Sequence, residues 1–290
     1  MSYLAELLAS GLAVGAVYGL IAMSFAIIYK STGLLNFSQG EMGMIIAYVA
    51  WSISTATDGN PFIVALGSIV FAVIFALAVE RIAIRPMMNE PILSRIMVTI
   101  GLSVIFRASV ILFWDALPHG MGMPAGEVLV SLGGVQVRAA QIAVIVVLFF
   151  AIAGIWAFFR YSRFGIAMRA VASDDSTAQL MGVNSGKVQM TAWGAAAVMS
   201  GTAGVLFAIG AELSPSLYAL GLKAFPATIL GGLDSIIGSA FGGIIIGITE
   251  NLVGGYISSG LKEVAGFVII VLILMIRPYG LFGEKRIERL

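Results

Sequence analysis

The chain is 290 residues long, 60% hydrophobic and only 11% charged. An ordinary soluble domain carries about 25% charged residues, so these proportions exclude a water-soluble globule of this size and place the chain in a bilayer. A net charge of +1 argues against a protein whose main business is gripping nucleic acid, and the absence of cysteine excludes a disulfide framework, a thiolate metal site and a catalytic thiol.

Glu6 precedes the first apolar run and no Lys or Arg occurs before Lys30, so the start reads as a retained first membrane helix rather than a cleaved signal. Runs without charge then mark the spans, because about 20 helical residues cross a hydrocarbon core of about 30 Å. In chain order they are Leu7 to Tyr29, Gly43 to Thr57, Phe62 to Val79, Ile96 to Trp114 with Arg107 inside, Ala139 to Phe159, and Val188 to Ala211. Leu217 to Leu233 is short and contains Pro226, Ile236 to Tyr256 contains Glu250, and Val264 to Ile276 closes the series. The expectation is an all-α polytopic membrane protein, a single transmembrane domain over residues 1–290, with eight full spans and one short segment that either crosses or turns back. Such a broken segment is expected where backbone lines a cavity.

The basic residues give the orientation. With alternating spans that count the short segment as crossing, twelve fall on one side: Lys30, Arg81, Arg85, Arg95, Arg160, Arg163, Arg169, Lys187, Arg277, Lys285, Arg286 and Arg289. Arg138, Lys223 and Lys262 fall on the other. The positive-inside rule then makes the 160–187 loop and the C-terminus cytoplasmic and the N-terminus external. The external loop at 115–138 has alternating residues around Gly133-Gly134 that predict a small β-hairpin, either a cap over a vestibule or a connector.

Within this frame a few motifs stand out. Gly11, Gly15 and Gly19 repeat every four residues and make one helix face that a neighbour can approach closely, and Gly238, Gly242, Gly243 and Gly247 make another. A third runs through Ala196, Ser200 and Gly204. The polar insertion Asn36-Phe-Ser-Gln-Gly-Glu41 lies between two apolar helices. Either Asn36 or Ser38 caps the second helix with Glu41 in its first turn, or Asn36, Gln39 and Glu41 serve a gating or pathway role. Glu250, next to Asn251, lies inside an apolar helix, where a carboxylate must face a cavity or a partner. Arg107, about two turns from its helix end, is placed to snorkel to the interface.

The soluble stretch Arg169 to Asn184 predicts a capped helix of about two and a half turns. Ser173 serves as N-cap, Asp174 and Asp175 sit in the first turn, and Gly182 ends the helix in a left-handed conformation. Its apolar residues Ala178, Leu180, Met181 and Val183 require burial against the bundle or a partner. Catalytic sets are missing: His119 is the single histidine, Gly182-Val-Asn-Ser-Gly-Lys-Val188 lacks the spacing and Ser/Thr of a phosphate loop, and no Gly-x-Ser-x-Gly elbow occurs. The chain has no ATPase site of its own and is not expected to be an enzyme.

Asn36-Phe37-Ser38-Gln39-Gly40-Glu41, Ile82 to Pro86, Ala172 to Val183, Ala224 to Leu233 and the ending Arg277-Pro-Tyr-Gly-Leu-Phe-Gly283 together resemble the LivH-type permease of branched-chain amino acid ABC importers. Ser38 and Gln39 stand where members usually carry Ala and His, and Asp234 departs from the usual Gly-Gly-x-Gly-Ser. The resemblance implies a bacterial inner-membrane subunit that forms half of a pathway with a LivM-type permease. It also implies two LivG/LivF-type cytoplasmic ATPases that hydrolyse ATP with Mg, a periplasmic binding protein, no cofactor on this chain, and contact with lipid but not nucleic acid. The Ser173 to Gly182 helix would be the coupling helix seated on one ATPase.

Relatives carrying these motifs also move urea, short amides or aromatic acids. Two readings of other classes remain open from the residues alone: an ion-coupled secondary transporter or channel using Glu41 and Glu250, and a membrane enzyme, for which no nucleophile, base and metal set is present.

Overall fold

The computed structural model describes residues 2–88, 90–123, 128–132 and 135–283. The helices are α1 (Ser2–Thr32), α2 (Gln39–Ala56), α3 (Pro61–Val79), α4 (Ile92–Trp114), α5 (Ala139–Tyr161), α6 (Arg163–Ser173), α7 (Asp175–Leu180), α8 (Ser185–Gly210), α9 (Ala219–Gly231), α10 (Ile236–Tyr256) and α11 (Ser259–Ile276). Strands β1 (Leu129–Leu132) and β2 (Val135–Arg138) pair antiparallel as the expected hairpin, with Leu129 opposite Arg138. Its Gly133-Gly134 turn lies outside the described residues, as do Lys285, Arg286 and Arg289.

Among the described residues seven helices are long and apolar enough to cross a membrane, namely α1, α3, α4, α5, α8, α10 and α11. That is the expected all-α polytopic class, with one helix fewer by this measure than the eight full spans expected. The difference is α2: it opens with Gln39 and Glu41, and most of its residues are buried against other helices rather than lipid. An internal helix does not need a wholly apolar sequence.

The core is built around α1, whose apolar window is 89% buried, whereas those of α5 and α11 are 11% buried and form the rim. Close approach of backbones makes this possible. A Cβ on Gly15 would lie 2.8 Å from the Ile244 Cα, and one on Gly11 would lie 2.9 Å from the Ile248 Cα. Gly19 meets the Ala240 carbonyl, and Gly243 and Gly247 return the contact onto Gly19 and Gly15. Gly242 points the other way, onto Ala227 of α9, so α10 is packed tightly on two faces. The third small-residue face joins α8 to α2 through Ser200, Gly204 and Gly43.

The two ends of the bundle are identified by their contacts. At one end His119 in the 115–138 loop exchanges backbone hydrogen bonds with Leu213 (2.8 and 2.9 Å), Arg138 donates to the Gly210 carbonyl, and Tyr3 donates to the Gly255 carbonyl (3.1 Å). At the other end Lys30 donates to the Asp234 carbonyl (3.0 Å), and Lys30, Arg95, Arg169 and Asp175 surround one cavity of about 670 Å³. The chain from Leu213 to Asp234 therefore runs from one end to the other. The helical part of that passage is α9, whose 13 residues rise about 20 Å. A 3-10 turn at Pro215–Tyr218 and extended residues before it supply the remainder. The short Pro226 segment is a broken crossing rather than a turn back.

Candidate functional site

The chain leaves α1 at Thr32 and runs without helix from Leu34 to Asn36 before α2 starts at Gln39. Gln39 donates through Nε2 to the Ala196 carbonyl at 3.1 Å. Ala196 lies about 17 Å from the start of α8 and about 21 Å from its end, so α2 begins near mid-depth. The first residues of α9 reach the same level from the opposite end. Gly40 packs on the Tyr218 carbonyl and on Gly221, and a Cβ on Gly221 would lie 2.6 Å from the Gly40 Cα. Two broken passes thus meet backbone to backbone within the bundle and run to opposite ends, with the N-terminus of α2 adding positive potential at the junction.

The side chains of Asn36, Ser38 and Gln39 bond to one another. The Asn36 Oδ1 accepts from the Ser38 N–H (3.1 Å) and from the Ser38 hydroxyl (2.7 Å), and the Asn36 Nδ2 donates to Gln39 Oε1 at 2.8 Å. Ser38 occupies the N-cap position but makes no side-chain cap: its backbone, at φ −89° and ψ 10°, is not in the extended conformation a cap uses, and its hydroxyl donates to Asn36. The Phe37 N–H reaches Thr99 of α4 at 3.2 Å. Of the two expectations, the side-chain cap on α2 is not formed, and Asn36, Ser38 and Gln39 instead make a hydrogen-bonded turn.

Glu41, whose side chain is 6% exposed, lies 3.2 Å from the guanidinium of Arg107 on α4. The guanidinium in turn lies 4.4 Å from the centroid of the Tyr218 ring. Arg107 does not snorkel; a buried carboxylate on the facing helix and an aromatic face hold it in the bundle. The signal in the sequence is an isolated Glu41 and a basic residue, Arg107, well inside an apolar span, and periodicity alone does not bring those two together.

Glu250 is elsewhere. It is buried between α1 and α11, accepts the Tyr18 hydroxyl at 2.9 Å and lies beside Gly266. Asn251 donates to the Gly247 carbonyl at 2.9 Å and lies 3.4 Å from the Lys262 ammonium. This pair is not brought to the Asn36–Glu41 junction.

At the basic end, α6 and α7 form the 160–187 loop. The N-cap of α7 is Asp174, not Ser173, which is the last residue of α6. An Asp cap outcompetes Ser here because both of its oxygens are used: Oδ1 accepts from the Thr177 N–H (3.1 Å) and the Ser176 hydroxyl (2.7 Å), and Oδ2 accepts from the Thr177 hydroxyl (2.7 Å). These bonds, the Ser176 hydroxyl first, hold its pKa at about 2. The helix is six residues, shorter than expected, because α6 takes the residues before it. Asp175 accepts the Ser185 hydroxyl, and Gly182 at φ +88° ends the turn, with the Val183 N–H on the Ala178 carbonyl (3.0 Å). Ala178 is buried, whereas Leu180 and Met181 are 88% and 81% exposed. Among the described residues no group of three or more His, Cys, Asp or Glu side chains is arranged to hold a metal.

A bundle with broken passes around a mid-depth polar junction, and with a rigid exposed helix at its basic end, defines a polytopic membrane permease. Residues 7–277 match the family described as branched-chain amino acid transport system / permease component, and the chain belongs to that family. It is 32% identical to the high-affinity branched-chain amino acid transport system permease protein LivH of Escherichia coli, over 99% of this chain and 98% of that one. It is 31% identical to the corresponding permease protein BraD of Pseudomonas aeruginosa, over 99% and 98%. A chain of PsaBC from Streptococcus pneumoniae, solved with Fab, has the same fold at a TM-score of 0.54 and 14% identity, covering 93% of this chain and 91% of that one.

Proposed function

We propose that this chain is the membrane permease of an ATP-driven importer of branched-chain or related amino acids. In this reading it lies in the inner membrane with its basic end and C-terminus in the cytoplasm. It pairs with a second, LivM-type permease, receives substrate from a periplasmic binding protein and is driven by two LivG/LivF-type ATPases that bind and hydrolyse ATP with Mg. The family and its relatives support the transport role. The single observation that carries the coupling is the exposure of Leu180 and Met181 on α7. Apolar side chains at the basic, aqueous end of the bundle gain nothing from lipid and are covered by a docked protein.

The underside of α7 is fixed by Ala178 and by the Asp175–Ser185 hydrogen bond, so displacement of the helix is transmitted to α8. α8 carries the Ala196 carbonyl that holds Gln39, which links the docking helix to the mid-depth junction through one rigid element. Asn36, Gln39 and Glu41 line the pathway in this reading, while Glu250 and Asn251 reach it only when α1 and α10 separate. A secondary carrier has no use for a capped helix with two exposed apolar side chains.

The test is the double substitution Leu180→Asp with Met181→Asp. Loss of most ATPase co-purification, with normal membrane insertion, is expected. Unchanged co-purification refutes the docking role.

A further inference from the structure

The polar junction contains an ion pair that folding does not explain. Pairing two charges inside a bundle recovers at most the cost of desolvating them, and an apolar pair of similar volume would serve the fold as well. Glu41 is nearly buried, but the Arg107 side chain is 38% exposed, which is expensive on a lipid-facing surface and unremarkable beside an aqueous pathway. A guanidinium has five N–H donors, and among the described residues that of Arg107 makes one long hydrogen bond, to the Ser103 hydroxyl at 3.5 Å. Its Nε lies within ion-pair distance of Glu41 without hydrogen-bond geometry. Most of its donor capacity is thus unused, in a group whose planar fork matches a carboxylate.

Beside Glu41 is a crevice of about 40 Å³ walled by Phe25, Phe37, Leu222, Phe225, Gly40 and Gly221. It has room for water and no more, and it lies at the Gly40–Gly221 contact, where α2 and α9 meet and would separate.

Resting on the importer reading above, we propose that the Glu41–Arg107 pair reads the zwitterionic head of an α-amino acid. The substrate carboxylate takes the Arg107 fork, its ammonium takes the Glu41 carboxylate, and its aliphatic side chain enters the aromatic crevice as α2 and α9 part. One ion pair is exchanged for two with no change of net charge, so the transfer leaves no uncompensated charge in the bundle. A neutral amide or urea, or a carboxylic acid without an amino group, would have to break the internal pair and leave one member bare. The pathway therefore filters for zwitterions independently of the binding protein.

The test uses the complete importer in proteoliposomes, with leucine uptake as readout. Glu41→Gln and Arg107→Gln are each expected to lower uptake at least tenfold, and Arg107→Lys, which keeps charge but loses the fork, is expected to raise KM several-fold. The charge swap Glu41→Arg with Arg107→Glu separates reading from scaffolding: thermal stability should return toward wild type while uptake stays low. Uptake restored by the swap, or wild-type uptake by either single glutamine variant, overturns the proposal. Glu41→Asp keeps the fold and the charge and is expected to raise KM, so unaltered KM counts against the proposal even where the glutamine variants fail to assemble. A wild-type importer that moves no amino acid would defeat the importer reading itself.

Discussion

At the residue scale, most of the chemistry is decided by which groups can be paired away from water. Asp174 is an exposed example whose two oxygens accept three hydrogen bonds, and its charge is the charge of the α7 cap. Its folded pKa of about 2 lies below the ordinary carboxylate value, so its stabilising contribution is fully present above about pH 4 and is lost as pH falls toward 2. ATPase docking measured by co-purification is therefore expected to be independent of this group between pH 5 and 8, and Asp174→Ala is expected to weaken it at every pH in that range. An Asp174→Ala variant that docks normally would show that the cap is dispensable. The sequence marked residues 173–175 as a helix start but not which of them caps, because Ser and Asp are equally good caps by type and only Asp174 has Ser176 and Thr177 within reach of both oxygens.

At the element scale, glycine spacing was the most readable feature. Three glycines four residues apart on α1 and the run on α10 predicted close faces, and the structure sets those two faces against each other. What spacing could not say is which partner each face takes, since Gly242 and Gly243 are adjacent in sequence yet pack on α9 and α1. Gly15→Val is expected to cost about 1–3 kcal/mol and to lower folded yield, because the nearest obstacle is the Ile244 backbone, which cannot swing aside. Gly154→Ala on the exposed face of α5 meets nothing within 4 Å and is expected to be neutral or to gain up to about 1 kcal/mol of helix propensity. Thermal melts of the two purified variants check both signs. The broken passes were only half legible: Pro226 and the short apolar run flagged α9, whereas α2 reads as an ordinary span after a polar linker. The linker's descent to mid-depth is a tertiary fact, fixed by Gln39 on α8 and Gly40 on α9.

At the scale of the whole molecule, charge distribution and contacts give one arrangement. His119 with Leu213 and Tyr3 with Gly255 gather one end, and Lys30 with Asp234 gathers the other, where the basic residues concentrate. Because the chain has no cysteine, single replacements can report sidedness cleanly. Glu212→Cys is expected to react with an impermeant maleimide from outside intact spheroplasts, and Arg163→Cys only after the membrane is opened. The reverse pattern would invert the topology and with it the docking of α7.

The importer reading rests most directly on where the driving energy comes from. Proteoliposomes holding the chain with its partner permease, ATPases and binding protein should accumulate leucine only when ATP is supplied on the ATPase side, and the chain alone should accumulate none under any ion gradient. Uptake by the chain alone on a proton or sodium gradient would contradict the account and make Glu41 an ion site.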